Sequence, residues 1–357
     1  MRSRRGILFT VAAVLLALVI LSIVAVSYLQ WRGQASTAVY TIRCDELNVM
    51  LDDIEKDLDR AASITGKRAM IVATDIVITN GTAISNADQK MEEMVLYGTF
   101  SGEDVPSLQN QTLGSWVERI VPLIEQRQFE TNLNETLLEI DVAPYDSFNL
   151  VVMARINDIT ITDEYGYCSF NGTLPRRASW LFPLVRLEEI DDPLYSIETY
   201  GFVQRTILEH NVSTPEHGSP AAIHADLEQK YYHATKDGPS IFERLEGLRG
   251  SPVHQDRHDY YVDLAHNAML AQGLNISKSE ITIGMETFVN TAELYSQLPE
   301  EAWPLVIKDN QSSIDAVYFG QFMSGRKMTD VTNLYPWFRI DDGHAAVYGI
   351  NQSQLYD

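Results

Sequence analysis

From Ile7 to Leu29 the chain is apolar at every turn of a helix, with no charge, proline or glycine, whereas the residues after Tyr40 carry a single apolar seam among acids. The first pattern predicts a transmembrane helix over residues 7–29. Its 23 residues make about 34 Å of helix, enough to cross a hydrocarbon core of about 30 Å. Residues 1–6 form a basic segment with Arg2, Arg4 and Arg5, while Tyr28, Trp31 and Arg32 mark the far interface. Three arginines before the span and one just after it predict a cytoplasmic N-terminus, a single-pass anchor in the cell membrane and an extracellular remainder. A cleaved secretory signal has a shorter apolar region of about 7–15 residues.

The second pattern reads Tyr40, Cys44, Leu47, Leu51, Ile54, Leu58, Ala61, Thr65, spaced alternately four and three apart, with Asp45, Glu46, Asp52, Asp53, Glu55, Asp57 and Asp59 between. This spacing predicts a stalk helix over residues 30–66, its seam facing either the chain's own domain or a neighbouring chain. An extracellular α+β domain is expected over 67–210. Beyond Gly66 the helix pattern resumes through Ile78, and shorter helical stretches follow at Asp88–Tyr97 and Leu113–Arg127, the latter kinked or broken at Pro122. Period-two patterning then predicts strands at Leu137–Val142, Asn149–Thr162, Tyr167–Phe170 and Ala178–Leu187, joined as an antiparallel meander. Parity switches between Ile156 and Ile159, so Asn157-Asp158 is expected to be a bulge or tight turn. The Pro/Gly/Ser-rich stretch 211–220 reads as a linker. A smaller C-terminal α+β domain is expected over 221–357, with helices at Ala221–His233 and Tyr260–Gln272 and strands at Glu280–Val289, Ala316–Phe319 and Trp337–Tyr348.

Composition narrows the function classes. The 357 residues are 45% hydrophobic and carry a net charge of −22. Because the first thirty hold three arginines and no acid, the rest carries −25. That sign excludes nucleic acid as an expected partner, since a phosphate backbone would be repelled. Eight of the sixteen asparagines head an Asn-x-Ser/Thr sequon: Asn80, Asn110, Asn134, Asn171, Asn211, Asn275, Asn310 and Asn351. Chance would supply about two, so N-glycosylation of an exported glycoprotein is expected at these positions.

Catalytic motifs are absent from the sequence: no Gly-x-Ser-x-Gly, no phosphate-binding loop and no His-Glu-x-x-His. His254 and His258 share the spacing of a helix face but read as exposed. Asp341-Asp342-Gly343-His344 reads as a hairpin turn and Glu188-Glu189 with Asp191-Asp192 as a solvated acidic loop. No catalytic residue, cofactor or metal is expected. The two cysteines, Cys44 and Cys168, are expected to join in a disulfide, as exported pairs normally do.

The segment Arg4-Arg5-Gly6 followed by ILFTVAAVLLALVILSIVAV resembles the class III signal of type IV pilin-like proteins. The resemblance implies cleavage by a prepilin peptidase after Gly6, with Ile7 as the new N-terminus and the apolar helix as a filament core. Val11 stands where the bacterial pattern has Glu. The anchor, the acidic DDIEKDLDRAA (52–62), DVAPYDSFNL (141–150) and DDPLYSIETYG (191–201) together resemble archaeal membrane-anchored surface proteins, a family with no assigned activity.

The expectation is therefore a non-enzymatic single-pass surface protein with a structural or adhesive role, pilin-like or envelope-associated. Its partners would be the lipid bilayer through residues 7–29 and, through the ectodomain, further copies or envelope proteins. The alternative is a membrane-tethered extracellular enzyme or a ligand-binding module, for instance for carbohydrate.

Overall fold

Helix α1 runs unbroken from Ser3 to Asn80, 78 residues and about 117 Å long. It belongs to a computed structural model that describes residues 3–210, 219–308, 311–320, 327–350 and 355–356. The fold is α+β with antiparallel sheets. Residues Val11–Tyr28 of α1 are apolar and wholly unburied, long enough to cross a membrane. Further on the seam residues Leu47, Leu51, Ile54, Leu58 and Thr65 are buried, Cys44 and Ala61 are half-buried and Tyr40 is exposed.

The seam thus packs on the chain's own domain, and the stalk expected over 30–66 is not a separate element. α1 enters the domain near Arg43 and continues past residue 66. A Cβ on Gly66 would fall 2.6 Å from Val152 Cγ2 and 2.9 Å from Val185 Cγ2. The glycine marks the closest approach of helix to sheet rather than a helix end.

Helices α2 (Ala87–Tyr97) and α3 (Leu113–Gln126) pack beside α1. Thr112 caps α3 by accepting a hydrogen bond from Ser115 N. Pro122 lies inside the helix without breaking it, since Leu113, Trp116, Val117 and Ile124 are anchored in the core. A two-stranded turn, β1 (Thr99–Phe100) with β2 (Glu103–Asp104), links the two helices.

The main sheet is built on β5 (Asn149–Asp163). One edge pairs with β3 (Phe129–Thr131) and β4 (Leu138–Pro144), the other with β6 (Ser169–Leu174) and β7 (Leu184–Arg186), all antiparallel. The register of β5 against β6 shifts between Ile156 and Ile159, and Asp158 has φ 52°, which is the irregularity expected from the parity switch. Leu150, Val152, Ala154 and Ile156 join the core under α1, whereas Val151 and Met153 pack with Ala143 and Ala268. Ala268 belongs to helix α7 (Gln255–Ala271). Both faces of the sheet are therefore covered, which explains why β5 reads as a continuous apolar run at 150–154.

The remaining elements are α4 (Pro193–Glu198), α5 (Pro220–Gln229), β8 (Tyr232–Thr235), α6 (Ile241–Leu245), β9 (Gly284–Thr287), α8 (Thr291–Gln297), α9 (Trp303–Val306), α10 (Asp315–Phe319), β10 (Met328–Val331), β11 (Arg339–Asp341), α11 (Asp342–Val347) and β12 (Leu355–Tyr356). Strands β8 and β9 pair, and β10 lies between β11 and β12. The stretch expected as a linker falls at 211–218 outside the described residues. Ser219 and Pro220 begin α5 as its N-cap and first residue.

The expected division at 211–220 does not separate two cores. The largest core runs from Leu47 through the sheet to Tyr232, Phe242, Tyr261 and Met285. A smaller core gathers Ile223, Phe288, Val317, Phe338 and Ile340, and another places Tyr195 and Val203 with Leu294 and Phe319. Four local expectations also fail. Of the strand expected over Ala178–Leu187 only Leu184–Arg186 forms. The helix expected to His233 stops at Lys230, a left-handed cap at φ 60°, and turns into β8. Residues 316–319 are helical. Trp337–Tyr348 is not one strand pair, because the Asp341 side chain accepts a hydrogen bond from His344 N and starts α11.

Candidate functional site

Cys44 and Cys168 are joined in a disulfide, their Cα atoms 5.5 Å apart. It links α1 to the approach of β6, one turn before Leu47, the first residue of the core. Beside it Arg43 bonds Asp163 Oδ1 at 2.6 Å and stacks 4.3 Å over the Phe129 ring. Other acids of the seam's flanks also meet the domain: Arg176 bonds Asp52 and Glu55, and Trp116 Nε1 donates to Asp57 at 2.8 Å. Gly6 and Ile7 lie within α1. Of the sequon asparagines, Asn80, Asn110, Asn134, Asn171 and Asn275 are exposed. Asn211, Asn310 and Asn351 lie outside the described residues.

Two groups expected in solvent are buried. Asp192 is fully buried and caps α4, accepting from Leu194 N. Arg244, on α6 and equally buried, donates to Asp192 Oδ2 at 2.6 Å, Asp315 Oδ2 at 2.7 Å and the Met285 carbonyl at 2.6 Å. Tyr232 OH donates to the same Asp192 oxygen at 2.7 Å. One guanidinium so holds together α4, α6, α10 and β9. His258 is also buried, with Nδ1 3.1 Å from Glu243 Oε2. Burial disfavours its charge, but Glu243 outweighs that and raises its pKa. His254 is the half-buried N-cap residue of α7.

The arrangement with most chemical potential is the cradle of His344. Its Nδ1 lies 2.6 Å from Asp341 Oδ2 and its Nε2 3.4 Å from Glu286 Oε2, while Tyr348 OH donates to Glu286 Oε1 at 2.6 Å. Burial alone would lower the imidazole pKa; the two carboxylates prevail and push it up to about 10. His344 is therefore a cation at neutral pH. It lines a cavity of about 160 Å³ with Glu286, Arg249, Asp237 and Ser251. That volume suits a few waters or a very small polar molecule, below the roughly 300–1,000 Å³ of common ligand sites.

A second pair is Glu92 on α2 and Asp141 on β4. Burial first, then the like charge of Asp141, pushes the Glu92 carboxyl up to about 8, so the pair shares a proton at neutral pH. Finally, His210, Asp226 and His233 converge, one ligand atom of each within 4.8 Å of the others.

Apart from the Asp341–His344 contact, three residues apart, these clusters were not legible from spacing. Glu286 meets His344 across 58 residues and Arg244 meets Asp315 across 71. The register of β8 with β9 sets His233 opposite Glu286, a pairing visible only in the fold. Comparison with protein-family models, curated proteins and solved structures returned no match.

Proposed function

We propose that this chain is a single-pass, N-glycosylated surface protein with a structural or adhesive role, held in the bilayer by residues 7–29. The observation that carries the reading is helix α1. Its apolar first part is unburied, and its second part is packed in the core of the domain, so span and domain share one uninterrupted helix. A helix shared in this way ties the position of the domain to that of the span, which suits an envelope component. The exposure of every described sequon asparagine and the disulfide beside the domain entrance support an exported location.

The basic segment ending at Gly6 extends the reading to a pilin-like subunit processed after Gly6. Mass spectrometry of the membrane-extracted protein tests it. A chain beginning at Ile7 is the expected result. A chain beginning at Met1 or Arg2 overturns processing and leaves a permanent anchor; one beginning beyond residue 29 overturns the anchor itself.

One observation favours a second reading, a tethered module for a small polar ligand: the cavity beside the charged His344. Ligand-induced shifts in melting temperature across small anions and sugars, abolished by His344→Gln, would support it over the structural role.

A further inference from the structure

The cluster of His210, Asp226 and His233 arises from three neighbouring pieces of backbone. Residues 208–210 lie parallel to β8: Tyr232 N donates to the Leu208 carbonyl at 2.8 Å and His210 N to the Tyr232 carbonyl at 3.0 Å. This sets the two imidazoles side by side, ring centres 4.6 Å apart. Asp226 comes from the last turn of α5, where the left-handed Lys230 cap folds the chain back so that Tyr231 N reaches the Asp226 carbonyl. The Asp226 side chain is 2% exposed, His233 6% and His210 10%.

Within this dry site the distances are those of shared ligation as much as of hydrogen bonding. His233 Nε2 is 3.3 Å from Asp226 Oδ2. Two donors on bonds of about 2.0–2.2 Å at a tetrahedral ion lie about 3.3 Å apart. His210 Nδ1 is 2.8 Å from Asp226 Oδ1, yet that buried oxygen has no aligned hydrogen-bond donor. Lining by Phe288 and Tyr348, whose rings pack on His233 at 5.8 and 5.3 Å, keeps the donors desolvated and preorganised.

We propose that His210 Nδ1, His233 Nε2 and the Asp226 carboxylate form a site for one divalent first-row transition ion, of the zinc or iron(II) class. Two imidazoles and one carboxylate are the donor set those ions take, and three protein ligands leave a further position for water. The ion would pin residues 208–210 to α5 and β8, on the two sides of the 211–218 stretch.

The test uses the full-length, tag-free chain in detergent, stripped with a chelator and then titrated with Zn²⁺ or Co²⁺. The expected results are one tightly held zinc per chain by elemental analysis, a visible ligand-field spectrum with cobalt and a higher melting temperature with zinc. His210→Ala and Asp226→Asn should each weaken binding by at least about tenfold, and His224→Ala, at a half-buried residue of α5 that pairs with Tyr335 instead, should not. His210→Ala keeps the test decisive if the more buried Asp226 variant fails to fold. Zinc retained equally by the parent and His210→Ala, or no zinc retained by the parent, overturns the site.

Discussion

Residues 11–28 and residues 47–77 are turns of one helix, yet none of the first set is buried, whereas Leu51, Leu58, Ala69 and Val77 are almost completely so. The apolar residues of the first part surround the helix, and no water-facing arrangement of one helix hides them. Those of the second part form one seam, and the sheet hides it. Acids on the second part's flanks are not merely solvated: Asp52, Glu55 and Asp57 each meet a domain side chain. The period of the pattern thus separates the two parts: apolar all round and unburied for one, a protein core on one side for the other.

The largest expected way to break the comparison is at the junction. Closing the 124-residue loop between Cys44 and Cys168 is worth about 4–5 kcal/mol as an upper figure in the chain-entropy account. Reduction, or the paired change Cys44→Ser and Cys168→Ser, should lower the domain's unfolding free energy by up to that amount in a denaturant titration, while membrane attachment persists. Next comes a matched pair of truncations. Leu58→Ala, at a fully buried position, should cost about 2–5 kcal/mol. Leu18→Ala, 55% exposed, should leave the same unfolding curve unchanged. Equal effects would deny that the two parts of α1 sit in different surroundings. Gly66→Ala is smaller, about 1–3 kcal/mol of overpacking, because the new methyl meets Val152 and Val185.

The last way to sharpen the comparison is one of pH. Glu92 has an ordinary value near 4.5 and a folded value of about 8, so the folded state holds the proton more tightly. Its favourable contribution is fully present below about 4.5 and is lost as pH rises through about 8. Glu92→Gln should therefore match the parent's melting temperature at pH 4 and exceed it at pH 9, whether or not residues 7–29 are present. A gain that vanished on deleting the span would place the titration elsewhere.

How much of this was legible in the sequence varies with the range of the cause. The apolar span, the seam of α1, the helices at 87 and 113 and the parity switch at Asn157-Asp158 are written in nearest-neighbour patterns, and all reappear in the fold. The boundary placed at residue 66 did not hold, because Gly66 permits a close approach of helix to sheet inside an unbroken helix. Asp341-Asp342-Gly343 misled because an aspartate before a glycine serves as a helix cap as well as a turn. The covering of the second sheet face by α7, the Arg244 hub and the Glu286 side of the His344 cradle depend on contacts across tens to more than a hundred residues, for which a single sequence has no periodicity to offer. Cys44 and Cys168 are the exception: only two cysteines exist, so chemistry rather than spacing named the pair.

The central claim, that α1 joins a membrane span to an external domain, is tested most directly by mild proteolysis of intact cells that make the chain. The account predicts cleavage between residues 30 and 42 and release into the medium of one disulfide-closed fragment carrying every residue from the low forties onward. A chain that stays whole until the cells are lysed would contradict it.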